Sequence, residues 1–148
     1  MVLTPRDKLL FRQLSNYGML STKQVTHLIF NDIATTTVLR RLRNLEDLNY
    51  VKRIQGPETQ EVLWIITEKA AQIEGGELFK RYWNKNLLGH DFKLLRLRLE
   101  LEKSGVAKSW VPEHEIRFLV FKKYTHKEAQ RKLIPDGIMI AETSNKNV

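Results

Sequence analysis

The chain has 148 residues, enough for one ordinary domain or two small ones, and its 42% hydrophobic share is sufficient for a packed core. It contains no cysteine, which excludes disulfides, thiolate metal sites and cysteine nucleophiles and fits a cytoplasmic location. Lys and Arg (25) exceed Asp and Glu (17) by 8, which favours an anionic partner such as nucleic acid, although a merely lysine-rich surface gives the same total. No apolar run approaches the roughly 20 residues of a membrane span, so no membrane partner is expected.

Start and stop signals predict two short helices at the N-terminus. Thr4 and Pro5 begin the first, with Asp7 three residues after the cap, and Gly18 supplies a left-handed end. The second helix begins at Ser21. Its expected apolar face consists of Val25, Leu28 and Ile29.

A third helix is predicted from a cap at Thr35 to about Leu48, and its two sides differ in chemistry. At about 100° per residue, the apolar side holds Val38, Leu42 and Leu45, flanked by Leu39 and Leu48. The opposite side holds Thr36, Arg40, Arg43, Asn44 and Asp47. Arg41 lies near the edge of the core, where it either reaches a phosphate or pairs with a carboxylate.

Two strand-like runs, "YVKRIQ" and "EVLWIIT", follow the third helix and are joined by the turn "GPET". Three helices followed by a two-stranded ribbon predict a winged helix-turn-helix. Residues 1–56 carry nine Lys and Arg against four Asp and Glu, a net +5. The predicted DNA-binding residues are Thr36, Thr37, Arg40, Arg41, Arg43, Asn44, Lys52 and Arg53, on the basis that Arg pairs with guanine and Asn with adenine. A solvated helix face and a protein-docking winged helix are the alternatives.

The second half predicts a smaller α/β part, so the fold class is α+β with domains at 1–75 and 76–148. "TEKAAQIEGG" predicts a helix capped by Thr67 and ended by Gly75 and Gly76, and a packed connecting helix is expected in "ELFKRYWNKNLLGHD". "HDFKLLRLRLELEKSG" predicts a largely buried helix that begins at His90 and Asp91, with Asp91 as its cap. Its expected ion pairs are Arg96–Glu100 and Arg98–Glu102.

Two strands are predicted towards the C-terminus, in "AKSWVPEHEIRFLVFKKY" and "LIPDGIMIAETSNKNV", and the polar run "THKEAQRK" is expected to connect them. The sequence stops where a further strand is expected, so the α/β part is predicted to be incomplete at its C-terminal end.

The chain resembles the replication-relaxation family of plasmids and other mobile elements over roughly residues 3–141. The resemblance rests on the segments "LTPRDKLLFRQLSNYGMLSTKQVTHLIF", "RRLRNLEDLNYVKR", "LGHDFKLLRLRLEL", "WVPEHEIRF" and "LIPDGIMI". It implies DNA binding in plasmid replication or control of DNA topology. It also implies that the second half is similar to a degenerate restriction-endonuclease core.

The residues themselves give that nuclease idea only weak support. A strand through Glu113 and Glu115 would place both carboxylates on one face, where Asp136 could join them around Mg²⁺. The usual second carboxylate and lysine are missing, because Glu142 and Lys146 are four apart in a turn-like segment. Glu113 and Asp136 are therefore only weak catalytic candidates, and no metal or other cofactor is expected.

The sequence thus predicts a double-stranded DNA-binding protein of a mobile element, acting in replication or its regulation. A metal-dependent nuclease or nicking enzyme and a protein-interaction module are the alternatives. Besides DNA, a second copy of the chain and replication or conjugation proteins are the expected partners.

Overall fold

The structure, a computed structural model, describes residues 2–55, 61–74 and 88–141. The chain divides into two compact units, Met1–Leu78 and Phe79–Val148. Several predicted features lie outside the described residues: the "GPET" turn, the Gly75–Gly76 stop, most of the connecting helix, Glu142 and Lys146.

The first unit is built from short helices and a small antiparallel sheet. Its described elements are, in order, α1 (Pro5–Tyr17), β1 (Leu20–Ser21), α2 (Thr22–Ile29), α3 (Thr35–Asp47), β2 (Val51–Gln55), β3 (Val62–Ile66) and α4 (Glu68–Ile73). The strand order is β1–β3–β2, and the β2–β3 ladder runs from Val51 opposite Ile66 to Gln55 opposite Val62. Three helices followed by an antiparallel ribbon form a winged helix-turn-helix, as predicted.

Capping explains where α1 and α2 begin. Thr4 and Asp7 form a reciprocal capping box, in which the Asp7 carboxylate accepts the Thr4 N–H at 2.7 Å, and Ser21 and Gln24 form a second box. Gly18 ends α1 with φ 85°, in the left-handed region that favours glycine. Both predicted starts and the predicted glycine stop are confirmed.

Helix α3 begins at Thr35, the residue predicted to be its cap, so its N-cap lies one residue earlier than predicted. Ala34 is the N-cap and has no side-chain cap bond, so Thr35 is already the first helical residue and the predicted Thr35 cap is wrong. The helix ends with Asn49 in the left-handed region at φ 63°, after which the Tyr50 N–H donates back to the Leu45 carbonyl at 2.9 Å. This turn sends the chain directly into β2.

The core of the first unit lies between α1, α2, α3 and the sheet. Its largest fully buried side chains are Leu10, Phe11, Leu14, Met19, Leu20, Val25, Val38, Leu42, Leu45, Val51, Leu63 and Trp64. The Trp64 indole N–H donates to the Thr22 hydroxyl at 2.9 Å and so attaches β3 to the start of α2. Leu28 is 39% exposed, so it is not part of the predicted apolar face of α2, which Val25 and Ile29 form without it.

The second unit contains, in its described part, α5 (Leu88–Lys103), β4 (Ala107–Pro112), α6 (Glu113–Lys123), α7 (His126–Ala129) and β5 (Gly137–Ala141). Strands β4 and β5 pair antiparallel, with an irregularity between Ala107 and Ser109. The α+β class is confirmed, and the polar run predicted only as a connection contains the short helix α7.

Helix α5 is helical as predicted, and its Arg98–Glu102 ion pair is present at 2.8 Å. It is not largely buried: between Gly89 and Lys103, the buried residues Phe92, Leu95 and Arg98 form one stripe, while Leu97 is 48% exposed. Leucines two positions apart lie about 200° apart on a helix, so they cannot share one packed side. The predicted Asp91 cap is also wrong, because α5 begins at Leu88 and Asp91 lies in its first turn.

The long strand predicted through residues 107–124 ends at Pro112, and α6 replaces its second half. Glu113 and Glu115 occupy the first turn of α6 and Lys122 and Lys123 the last, so both ends complement the helix dipole. The apolar run between them is rich in strand-forming residues, which explains the wrong prediction. On a helix, Glu113 and Glu115 point about 200° apart, so the predicted shared carboxylate face does not exist.

Gly137 allows the Trp110 ring to lie against β5. A Cβ at position 137 would stand 2.7 Å from Trp110 Cζ2, closer than carbon atoms pack. We therefore expect Gly137→Ala to lower the free energy of unfolding of the second unit by about 1–3 kcal/mol, measured by urea denaturation followed by circular dichroism. In a Trp110→Phe background the same change should cost clearly less, because the smaller ring lacks the contacting atoms. An equal cost in both backgrounds would contradict this account.

Candidate nucleic-acid interface

The outward side of α3 carries the polar face that the sequence predicted. Val38, Leu42 and Leu45 are at most 1% exposed and fix the opposite side of the helix in the core. The exposed residues of α3 include Thr36, Thr37, Arg40, Arg43, Asn44 and Asp47. This surface therefore presents two hydroxyls, two guanidiniums and an amide to solvent, with one carboxylate among them.

Arg40 and Arg43 have no carboxylate partner among residues 2–55 and 61–74, and this sets them apart from other arginines of the unit. Four arginines form ion pairs with carboxylates of the unit: Arg6 with Asp32, Arg12 with Glu74, Arg41 with Asp7, and Arg53 with Glu46. The acidic side chains thus neutralise cations away from the outward side of α3 and leave its two guanidiniums available to a ligand.

Arg41 takes the second of its two predicted alternatives and pairs with a carboxylate. Its Nε donates to Asp7 Oδ1 at 2.9 Å and a terminal nitrogen donates to Asp7 Oδ2. Asp7 is fully buried and Arg41 is 23% exposed. The pair connects the first turn of α1 to the middle of α3, so it holds the exposed helix face in a fixed orientation.

Burial alone would raise the pKa of the Asp7 carboxyl. Hydrogen bonds from Arg41 and from Thr4, with the nearby positive charge of Arg41, outweigh burial, so the pKa of Asp7 lies below its usual value. Asp7 therefore remains ionised at neutral pH, and the same pairing raises the pKa of Arg41. The sequence identified Asp7 as a capping residue but not as the partner of Arg41.

The ribbon behind α3 presents Lys52 and Arg53, both exposed on β2. Arg53 Nε lies 3.1 Å from Glu46 Oε2, and its backbone N–H donates to Glu46 Oε1 at 3.3 Å. Glu46 therefore attaches β2 to the last turn of α3. Lys52 has no such partner in the described residues, so it is the cation of the ribbon that is available to a neighbouring phosphate.

The first structural unit, residues 1–78, carries much less net positive charge than the +5 counted over residues 1–56. Residues 1–78 hold ten Lys and Arg against nine Asp and Glu, because acidic residues after position 56 offset the basic start. Residues 79–148 hold fifteen against eight, or +7 of the total +8. Any binding of an anionic partner by α3 therefore depends on where its cations lie, not on the total charge of its unit.

The weak catalytic candidates of the second unit form no metal site. Glu113 accepts a hydrogen bond from Arg117 at 2.5 Å, one turn further along α6. Asp136 precedes β5, with one carboxylate oxygen 3.5 Å from His90 Nε2, while His90 Nδ1 lies 3.5 Å from Asp91. Among the described residues, no group of three or more His, Asp or Glu is placed to hold a metal ion.

No described helix combines the length and the apolar character needed to cross a membrane.

Neither a protein-family model nor a curated protein matches the chain. The solved structures similar to it include the following two. One is a mutant of Lactococcus lactis ZitR in its apo form: 18% identity, 86% of this chain and 73% of that chain covered, TM-score 0.41. The other is transcriptional regulator PA4135: 20% identity, 88% and 80% covered, TM-score 0.43. The winged-helix assignment rests on element order and strand pairing.

Proposed function

We propose that the protein binds double-stranded DNA in a sequence-selective manner through α3. The observation that carries this proposal is the exposed outward face of that helix, on which Arg40 and Arg43 have no carboxylate partner in the described residues. Two guanidiniums one turn apart and without a carboxylate partner do not stabilise the folded protein. To a polyanion, however, they offer two sets of hydrogen-bond donors with planar geometry.

In the proposed complex, α3 lies in the major groove. Arg40 and Arg43 donate to guanine O6 and N7, Asn44 pairs with adenine, and Thr36 or Thr37 contacts a phosphate or a thymine methyl group. Lys52 on the ribbon contacts a neighbouring phosphate. Arg41 and Arg53 contribute indirectly: Arg41 pairs with Asp7 and Arg53 pairs with Glu46, and these two ion pairs orient α3 and β2.

The biological setting is a further part of the proposal. The resemblance to the replication-relaxation family supports a role in replication or its regulation on a plasmid or other mobile element, in the cytoplasm. It also supports a second unit related to a degenerate restriction-endonuclease core. Replication or conjugation proteins and a second copy of the chain are the proposed protein partners.

The proposal is tested by selecting DNA with the purified protein from a pool of random duplexes and sequencing what is retained. We expect a short motif to be enriched. Its affinity should fall steeply with salt, because each neutralised phosphate contributes about 0.9 to the slope of log K against log salt concentration. Retention of no duplex at low salt, together with capture of protein partners that survives high salt, would instead indicate a protein-docking winged helix.

A further inference from the structure

The strongest concentration of positive charge outside α3 is at the corner between α6 and α7. Residues 122–132, "KKYTHKEAQRK", contain five Lys and Arg against Glu128 alone, a net +4 in eleven positions. All five are exposed: Lys122, Lys123, Lys127, Arg131 and Lys132. We call them the α6–α7 basic cluster. They supply more than half of the +7 carried by residues 79–148.

Capping and packing contacts among residues 121–129 hold the corner that carries the cluster. Thr125 and Glu128 form a capping box, so the one carboxylate of the segment accepts the Thr125 N–H at 3.2 Å and caps α7. Ala129 is 1% exposed and anchors α7, and the rings of Phe121 and His126 lie 5.6 Å apart across the corner. The cations therefore extend from a fixed turn.

Two cations of the cluster lie close to the same ring. Lys132 Nζ is 4.4 Å and Lys123 Nζ is 5.6 Å from the centre of the Tyr124 ring, although the two lysines are nine positions apart in sequence. Across residues 88–141, no carboxylate pairs with any member of the cluster. Five cations within eleven residues and without a paired carboxylate repel one another, and an external polyanion relieves that repulsion.

We propose that the α6–α7 basic cluster is a second nucleic-acid-binding surface, which contacts phosphates of the DNA without reading its sequence. The inference rests on the proposed DNA binding but uses other residues. A lipid surface fits less well, because a membrane-binding segment needs a row of exposed apolar side chains beside its cations. Within 122–132, Tyr124 is half-buried and Ala129 is buried, and the exposed leucines near the cluster stand singly: Leu119, 53% exposed, on α6 and Leu133, 98% exposed, just beyond the segment.

The test compares two charge-matched variants of the full chain. Lys122→Gln/Lys127→Gln/Arg131→Gln removes three cluster cations that do not lie over Tyr124, and Lys93→Gln/Arg96→Gln/Lys103→Gln removes three exposed cations from α5. Fluorescence anisotropy gives the affinity for the selected duplex and for an unrelated duplex between about 50 and 300 mM KCl. We expect the cluster variant to reduce the steepness of log K against log salt concentration by about 2–3 for both duplexes, because each lost phosphate contact contributes about 0.9 to that slope. The α5 variant should leave the slope unchanged.

Equal slopes for the wild-type protein and the cluster variant, or equal losses in both variants, would overturn the proposal. It would also be overturned if vesicles containing phosphatidylserine bind the protein through the cluster and Leu133 while the DNA slope stays the same. Failure of the α3 proposal is distinguishable from these outcomes. In that case the protein shows no preference for any duplex sequence, and the cluster variant alone still changes the slope.

Discussion

Replacing Arg40 and Arg43 together by alanine is expected to abolish the preference for the selected sequence without unfolding the protein. Both side chains point away from the core, so their removal leaves no cavity and no unpaired buried group. Each bidentate contact between arginine and a base is worth about 1–3 kcal/mol, so binding to the selected duplex should weaken by about 2–6 kcal/mol, roughly 30-fold to 20,000-fold. A mobility-shift titration at one fixed salt concentration measures this loss.

The control matched in charge is Lys8→Ala together with Arg12→Ala, which removes two exposed cations from α1, one of them paired with Glu74. We expect its affinity for the selected duplex to change by less than about 3-fold, since surface charges act mainly through a screened field. Equal losses in both double variants would show that the effect is general electrostatics and not recognition by α3. Unchanged affinity in the Arg40 and Arg43 variant would contradict the proposed interface.

Replacing Asp7 by asparagine is expected to have the largest effect on stability. The change leaves Arg41 partly buried without its carboxylate and weakens the capping box at the start of α1. Removing one partner of a buried ion pair costs about 3–5 kcal/mol; because Arg41 retains some contact with water, we expect about 3 kcal/mol. For a unit of this size the melting temperature should fall by roughly 12 °C or more, measured by circular dichroism. Asp32→Asn is the control, because its pair with Arg6 is exposed to solvent, so its loss should lower the melting temperature much less than the loss of the buried Asp7 carboxylate.

The Asp7 pair also predicts a dependence of stability on pH. The folded pKa of Asp7 lies below its ordinary value of 3.8, so the ionised carboxylate stabilises the fold above that pH. This contribution is lost as the pH falls from about 3.8 through the lower, folded pKa. The difference in unfolding free energy between the wild-type protein and Asp7→Asn should therefore be constant at neutral pH and shrink in acid. A difference that stays the same down to pH values well below 3.8 would contradict the assigned role of the pair.

The winged helix could be predicted because its signals are local. The helix starts at Thr4 and Ser21, the left-handed stop at Gly18 and the period of α3 are each signalled within a few residues, and the structure confirms them. The same periodicity predicted which side of α3 is exposed. The pairing of Asp7 with Arg41 could not be assigned in this way, because 34 positions separate the two residues and only the packing of α1 on α3 brings them together.

The second unit was predicted less well because its signals conflict. Residues 116–121 combine strand-forming side chains with a helix start after Pro112, and the charges at both ends favour the helix. The alternating leucines of α5 match a strand by period, yet their residues form a helix with only one buried stripe. The α6–α7 basic cluster was missed as a surface because a run of polar residues is typical of an ordinary solvated connection.

The most direct test of the account places a single reactive group on α3. Because the chain has no cysteine, Asp47→Cys carries one thiol at the exposed end of α3, beside the proposed base contacts, to which an iron-chelate cleavage reagent can be attached, and Lys8→Cys on α1 serves as the matched position. We predict that the reagent at position 47 cuts the selected duplex within a few base pairs of the enriched motif, while the reagent at position 8 cuts it weakly or not at all. Equal cutting from both positions, or no cutting from position 47 on DNA that is bound, would contradict the placement of α3 in the groove.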